Sequence, residues 1–282
     1  MKRTVSLILA ALMCLSMILA FASCGKLKAS EDLDRVKAAG KIVVGMECAY
    51  APYNWAQATA SEFTVKLANG SYADGFDVQI SKKIADALGV ELVITPIEWD
   101  GLLPALESGG IDMIIAGMSP TEDRKLSIDF SDTYFDSNLV MVVKKGGNYE
   151  NATSIADFSG AKITAQQNTF HYTVIDQITG VQKQTALADF AALMQALSSG
   201  AIDGYICEKP GAVSAVSSNP DFAFVEFDDG KGFECDPAES SISVGIRKGS
   251  SLTDEINKVI RTMSKAEKEA LMDAAIERQP AE

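Results

Sequence analysis

Residues 99–124 read Trp99-Asp100-Gly101-Leu102-Leu103-Pro104-Ala105-Leu106-Glu107-Ser108-Gly109-Gly110-Ile111-Asp112-Met113-Ile114-Ile115-Ala116-Gly117-Met118-Ser119-Pro120-Thr121-Glu122-Asp123-Arg124. Leu102, Leu103 and Leu106 fall at helical spacing and Gly109 stops the helix, after which Ile111–Ala116 is a short apolar run that suits a buried strand. The segment Leu106-Glu107-Ser108-Gly109-Gly110-Ile111-Asp112 is echoed by Leu197-Ser198-Ser199-Gly200-Ala201-Ile202-Asp203 at an offset of 91 residues. Each is a helix end, a glycine stop and an aspartate that opens a strand, so the expectation is two lobes built on one plan.

Outward from this stretch the alternation continues. A helix at Glu31–Ala38 capped by Ser30 and ended by Gly40, a strand at Lys41–Met46, a helix at Asp77–Leu88 with Ile80, Ile84 and Leu88 on one face, and a strand at Val90–Thr95 give an α/β pattern with mainly parallel pairing. A second set follows: a strand at Ala161–Gln166, helices at Thr169–Ile178 and Ala188–Ser199, and a strand at Ile202–Cys207. Leu252, Ile256, Val259, Ile260 and Met263 then form a helical stripe, and Ser264 is expected to cap a final helix, Lys265–Arg278. If these helices return to the first lobe, the chain crosses between lobes twice, near Ser137–Val140 and near Ser240–Val244, and a pair of crossings makes a hinge. The expected division is 31–138 with 241–282 in lobe one and 139–240 in lobe two.

The chain has 282 residues with a formal net charge of −13, and its 47% hydrophobic and 22% charged composition belongs to a folded protein rather than a disordered one. An acidic chain lacks the basic footprint that nucleic acid requires. A single histidine, His171, and five cysteines without a CxxC pair leave little for a zinc site or a histidine triad, and no metal or cofactor is expected. The start is of another kind. Lys2 and Arg3 precede an uncharged run from Val5 to Ala22, followed by Ala22-Ser23-Cys24, which reads as an export signal over residues 1–23 or as a single membrane anchor. The Ala-Ser-Cys ending resembles a bacterial lipobox, which implies lipidation at Cys24 and a tether over residues 24–30. Cys48, Cys207 and Cys235 are expected to be unpaired.

Open α/β sheets bind ligands beyond the carboxyl ends of their strands. Past Ile111–Ala116 lie Gly117, Met118, Ser119 and Arg124: backbone N–H groups, a hydroxyl and a guanidinium that suit a small carboxylate. At the matching place in the second half stands Glu208, followed by Lys209 and Pro210; it suits an ammonium group and equally the first turn of a helix. Past the first strand, Tyr50, Trp55 and Phe76 are candidate apolar walls, with Glu47 and Asn54 reading a polar tip.

Gly75-Phe76-Asp77, the run from Trp99 to Arg124 and Ile128-Asp129-Phe130-Ser131-Asp132-Thr133-Tyr134 closely resemble the polar amino-acid binding proteins of ABC importers, the family 3 solute-binding proteins. The resemblance implies a type II periplasmic-binding-protein fold, two α/β lobes joined by two hinge strands, closing on a free amino acid. It implies Arg124 as the clamp on the α-carboxylate with Ser119 and Gly117 as partners, Glu208 on the α-ammonium, Tyr50 and Phe76 sandwiching the side chain, and Glu47 where binders of basic amino acids carry an acid. Where the family has Gln-Gly-Thr/Ser this chain has Gln167-Asn168-Thr169-Phe170, and Asn168 is expected to take the left-handed conformation that glycine would supply. His171 is expected to be a neighbour of the site. The expected protein is a monomeric lipoprotein, on the cell surface or the periplasmic side of the cytoplasmic membrane, that hands its ligand to a permease. Lysine, arginine and ornithine are favoured by the two acids; glutamine is favoured if Glu47 pairs with a lysine. The same fold also serves as a sensor domain or as a prephenate-type dehydratase, for which Glu208 is the candidate general acid.

Overall fold

A computed structural model describes residues 28–237 and 239–280; the signal, the lipobox cysteine and most of the tether lie outside them. Strands are numbered along the chain: β1 Lys41–Met46, β2 Ala49–Tyr50, β3 Asn54–Gln57, β4 Val65–Lys66, β5 Tyr72–Asp74, β6 Glu91–Pro96, β7 Met113–Ile114, β8 Ile128–Asp136, β9 Leu139–Lys144, β10 Lys162–Thr164, β11 Gln182–Lys183, β12 Gly204–Glu208, β13 Phe222–Val225 and β14 Ser241–Arg247.

Two five-stranded sheets carry the architecture, in the orders β6-β1-β7-β14-β8 and β11-β10-β12-β9-β13. They have the same design. In the first, β1 pairs in parallel with β6 and β7, and β14 runs antiparallel between β7 and β8. In the second, β10 pairs in parallel with β11 and β12, and β9 runs antiparallel between β12 and β13. In each sheet the antiparallel insert is the strand that has just arrived from the other one. The crossings are Ser137-Asn138, between β8 and β9, and the segment leading from β13 into β14; they lie side by side where the Ser137 N–H donates to the Ser240 carbonyl at 3.4 Å. A small antiparallel sheet, β2-β3-β5-β4, is attached to the first lobe.

Helices cover the sheets where the apolar spacing requires it. Phe76–Leu88 buries Phe76, Ile80, Ile84 and Leu88. Leu102–Ser108 buries Leu102 and Leu106 and ends at Gly109 in the left-handed region. Lys265–Arg278 has the expected limits, with Ser264 accepting from the Glu267 N–H and Glu267 reaching back to the Ser264 N–H. Three expectations shift. The first helix is Asp32–Ala39, entered through a 3-10 turn, Ala29–Glu31, so Ser30 is not its cap. The regular strand in the Ile111–Ala116 run is limited to Met113–Ile114, although the flanking Asp112 and Ile115 N–H groups still donate to the Val43 and Gly45 carbonyls of β1. The expected helix Thr169–Ile178 is a single short helix, Phe170–Val174, passing into a 3-10 turn, Ile175–Gln177, with its β-branched residues crowding a longer α-helix. Among the described residues no helix is long and apolar enough to cross a membrane.

Candidate functional site

The ends of β1, β7 and β12 bring three loops together between the lobes. From the first lobe comes Arg124, whose short helix Glu122–Ser127 is capped by the Thr121 hydroxyl. Its guanidinium donates to the carbonyls of Ser119 (2.8 Å) and Asn168 (3.0 Å) and lies over the Trp99 ring, 5.0 Å from its centroid. Arg124 therefore already spans both lobes, yet it forms no ion pair among the described residues. Burial lowers its pKa to about 10, with the negative charge of Glu208 acting in the other direction.

Glu208, at the end of β12, immediately precedes the helix Lys209–Ser218, whose first turn holds Pro210, and its side chain makes no capping hydrogen bond. It is almost fully buried, so its oxygens need partners. One accepts from the Tyr50 hydroxyl, across the lobe boundary; the other lies 3.0 Å from His171 Nε2. Burial alone would raise the carboxyl, but the attraction and hydrogen bond of His171 and the hydrogen bond of Tyr50 hold it below the ordinary range. That direction is opposite to what a general acid requires.

The third loop carries Glu47. Its Oε1 accepts from Gln166 Nε2 at 3.0 Å, and its Oε2 is buried without a partner. Burial pushes this carboxyl up to about 8; the Gln166 hydrogen bond opposes the shift, and the charges of Asp189, Glu98 and Asp100 add to it. No lysine pairs with it among the described residues.

Other expected site residues sit differently. Tyr50 is in the cleft, but it stacks on Phe190 of the second lobe at 4.0 Å and 9°. Phe76 does not face it. Phe76 is fully buried in the first-lobe core against Tyr53, Tyr134 and Phe135, because it opens a helix whose apolar face is turned inward. The aromatic ring that does stand over Arg124 is Trp99, whose indole N–H donates to the Asn168 carbonyl at 3.4 Å. Asn54 is likewise in the core rather than at a ligand tip: its amide oxygen accepts from the Cys48 N–H and its amide nitrogen donates to Asp77. Met118 is fully buried and offers the site only backbone, its carbonyl accepting from Ser243. Trp55 donates to Gln57 and lines an inter-lobe cavity of about 260 Å³ with Phe190 and Tyr205. Thr169 Oγ1 donates to the Gln166 carbonyl, and Phe170 packs in the second-lobe core with its ring 4.5 Å from His171.

Gly117 has φ +60, and a Cβ there would meet the Tyr50 ring at 3.1 Å, so the close approach of this loop to Tyr50 depends on glycine. Asn168 has φ +55, the left-handed conformation the sequence led us to expect. Its side chain and that of Gln167 both donate to Asp100, at 2.7 Å each, latching the lobes at the edge of the site. Trp99, Asp100, Gln166 and Phe190 were not singled out as site residues from sequence. Trp99 and Asp100 begin the stretch that decides the fold, and that position was their only signal. Cys48 and Cys207 are buried and Cys235 half-buried, all three unbridged.

Residues 42–274 match the bacterial extracellular solute-binding proteins, family 3. The chain belongs to that family. Among family relatives, an L-cystine-binding protein of Escherichia coli is 30% identical over 83% of this chain and 81% of its own length. An arginine-binding extracellular protein of Bacillus subtilis is 26% identical over 93% of each chain. Among solved structures, an amino acid ABC transporter substrate-binding protein of Streptococcus pneumoniae bound to L-arginine superposes with a TM-score of 0.73 at 27% identity, over 86% of this chain and 98% of that one. The family 3 chain described here thus has the two-lobed type II fold, and its relatives are binding proteins for amino acids. One further neighbour, at 26% identity and a TM-score of 0.69, over 86% of this chain and 99% of that one, is an ancestral amino acid-binding protein described as a precursor of cyclohexadienyl dehydratase.

Proposed function

We propose that this protein is the extracytoplasmic binding component of an ABC importer, closing around one free L-amino acid with a cationic side chain (arginine, lysine or ornithine) and delivering it to a permease. The observation that carries the choice of ligand is the unpartnered Oε2 of Glu47, buried among further acids. A guanidinium or ammonium group there would satisfy the orphan oxygen and offset the mutual repulsion of the carboxylates. Arg124 takes the α-carboxylate, exchanging neutral carbonyl acceptors for a charge-assisted pair. Glu208 takes the α-ammonium. The ligand contacts residues of both lobes, so its binding energy favours the closed arrangement, which is the form the permease would engage. Asn168 and Thr169 border the carboxylate from the second lobe. In this reading residues 1–23 are the lipoprotein signal, Cys24 carries the lipid, 24–30 are the tether, 31–138 with 241–282 and 139–240 are the moving lobes, and the protein works as a monomer without bond chemistry. The depressed pKa of Glu208 supports the last point.

One observation favours a second ligand. A Glu47 carboxyl that titrates at about 8 holds its proton at neutral pH and donates a hydrogen bond, which suits the side-chain amide of glutamine. The test is a calorimetric panel of free L-amino acids and ornithine on residues 25–282, unfolded and refolded to remove bound ligand. Binding of a basic amino acid that is lost in Glu47→Gln is the expected result. Binding of glutamine that is unaffected by Glu47→Gln keeps the family role and overturns the basic ligand.

A further inference from the structure

Two residues on the first-lobe side of the cleft adopt left-handed backbone: Cys48, with φ +56, between Glu47 and Tyr50, and Gly117, with φ +60, under the Tyr50 ring. Cys48 is not a glycine, so something must hold it there. One buried chain reaches both. The Cys48 N–H donates to Asn54 Oδ1 at 2.8 Å, and Asn54 Nδ2 donates to Asp77 Oδ2 at 2.9 Å. The other oxygen, Asp77 Oδ1, accepts from the Tyr134 hydroxyl at 2.8 Å, and the Gly117 backbone N–H lies close enough to favour the carboxylate form. Asp77 and Asn54 are fully buried, and no cation pairs with Asp77 among the described residues. An uncompensated buried carboxylate is a costly way to build a core. All of its partners are donors, so the anion is the form that fits, although burial raises its pKa to about 7 against the pull of these hydrogen bonds.

We propose that Asp77 is a positioning residue for the ligand site: through Asn54 and Tyr134 one carboxylate sets the backbone of the Glu47–Tyr50 loop and of the Gly117–Ser119 loop relative to each other. Asp77 touches no ligand. It fixes the distance between the groups that read the ligand side chain and those that meet its α-carboxylate, and an error in that distance is felt as lost affinity. The inference rests on the amino-acid-binding reading above.

The network suggests its own rescue. In Asp77→Asn one of the two acceptor oxygens becomes an N–H₂ that faces either the Asn54 N–H₂ or the Tyr134 hydroxyl, and in either orientation a donor is left without its acceptor. In the exchange Asn54→Asp with Asp77→Asn, the new aspartate accepts from Cys48 and from the new amide, while the amide oxygen accepts from Tyr134. Charge and hydrogen-bond count are restored with the partners reversed. Affinity for the amino acid identified in the panel is measured by calorimetry at a temperature where each variant is folded by circular dichroism. Asp77→Asn is expected to weaken binding by roughly tenfold to a hundredfold, as a buried unpaired donor costs, and the exchange to return it to within about threefold. A folded Asp77→Asn that binds as wild type overturns the proposal, as does a folded exchange variant that binds no better than Asp77→Asn. If Asp77→Asn does not fold, the exchange variant decides alone: binding within about threefold of wild type upholds the positioning role, and a folded protein weakened more than about tenfold overturns it. Failure of the wild type to bind any amino acid is a separate result, and it counts against the proposed function.

Discussion

The turns Leu106–Asp112 and Leu197–Asp203 share a backbone and differ in what surrounds it. Gly109 and Gly200 both have φ 79 and ψ 16. The N–H of the residue after each glycine, Gly110 or Ala201, donates to the carbonyl of Ala105 (2.9 Å) or Ala196 (3.0 Å). Asp112 accepts from the Val43 N–H at 2.9 Å and Asp203 from the Lys162 N–H at 2.8 Å, each tying its turn to the neighbouring parallel strand. There the likeness ends. Asp203 is half-buried and belongs to no ion pair among the described residues. Asp112 is buried and meets Arg35 at 2.5 Å, and Arg247, on the returning strand β14, lies 3.5 Å away. Arg247 also pairs with the fully buried Asp32 at 2.8 Å and donates to the carbonyls of Leu106 (3.1 Å) and Ile111 (2.6 Å). The local turn is a repeated part. The charge cluster belongs to the first lobe alone, because only that lobe must hold a strand that comes back after an excursion of about a hundred residues, and loop closure of that length must be offset.

Arg247→Ala breaks this contrast most severely. It removes the buried partner of Asp32, leaving that fully buried carboxylate only the half-exposed Arg35 at 3.2 Å and the Ser250 hydroxyl, and should cost about 3–5 kcal/mol in denaturant unfolding. A loss near 1 kcal/mol would mean that the cluster does no more than a surface pair. The proposed ligand site divides between the lobes in a similar way, with the cation Arg124 on the first and the anion Glu208 on the second. Arg124→Ala should weaken amino-acid binding by about 2–5 kcal/mol in calorimetry while leaving the melting temperature of the ligand-free protein near wild type. Melting that falls as far as binding would make Arg124 a lobe latch instead.

Glu47 gives a pH signature that its own substitution isolates from the similarly raised carboxyl of Asp77. Its folded pKa, about 8, lies above its ordinary 4.5, so the folded state holds the proton more tightly than the unfolded chain. That contribution to stability is fully present below about 4.5 and is lost as the pH rises through 8. The melting temperature of ligand-free Glu47→Gln should therefore gain on wild type between pH 5 and pH 9. A difference that does not change with pH would place the group in water. The smallest effect is expected for Asp203→Ala, about 1 kcal/mol for one backbone hydrogen bond, against the far larger loss at Arg247.

What the sequence disclosed follows the same division between local and long-range. The αβ turns, the capping box at Ser264 and Glu267 and the left-handed Asn168 all rest on neighbours a few residues apart, and each leaves a mark in residue type; the double crossing is read instead from the apolar stripe of the last helices, which has to return to the first lobe. The convergence of Tyr50, Arg124, Glu208 and Glu47 on one cleft was legible because they stand at or just beyond strand ends, where open α/β sheets bind ligands; their part in ligand binding belongs to the proposed function. The side on which an aromatic ring falls is not local. Phe76 and Trp99 each open a helical segment after a strand, yet Phe76 lies on the buried face of Phe76–Leu88 while the 3-10 turn at Trp99–Gly101 leaves the other ring over Arg124. The Asn54–Asp77 bond, the stacking of Phe190 on Tyr50 and the approach of His171 to Glu208 join residues 23, 140 and 37 positions apart, and no spacing rule reaches them.

In the function proposed here, the cleft grips the α-carboxylate and α-ammonium of a free amino acid through Arg124 and Glu208. The direct measurement is calorimetry of refolded residues 25–282 with L-arginine and with its decarboxylated analogue, which keeps the guanidinium and loses the carboxylate. One-to-one binding of L-arginine, with the analogue at least about a hundredfold weaker, is the result this account predicts. Equal binding of the two, or binding of neither L-arginine nor any other amino acid, would contradict it.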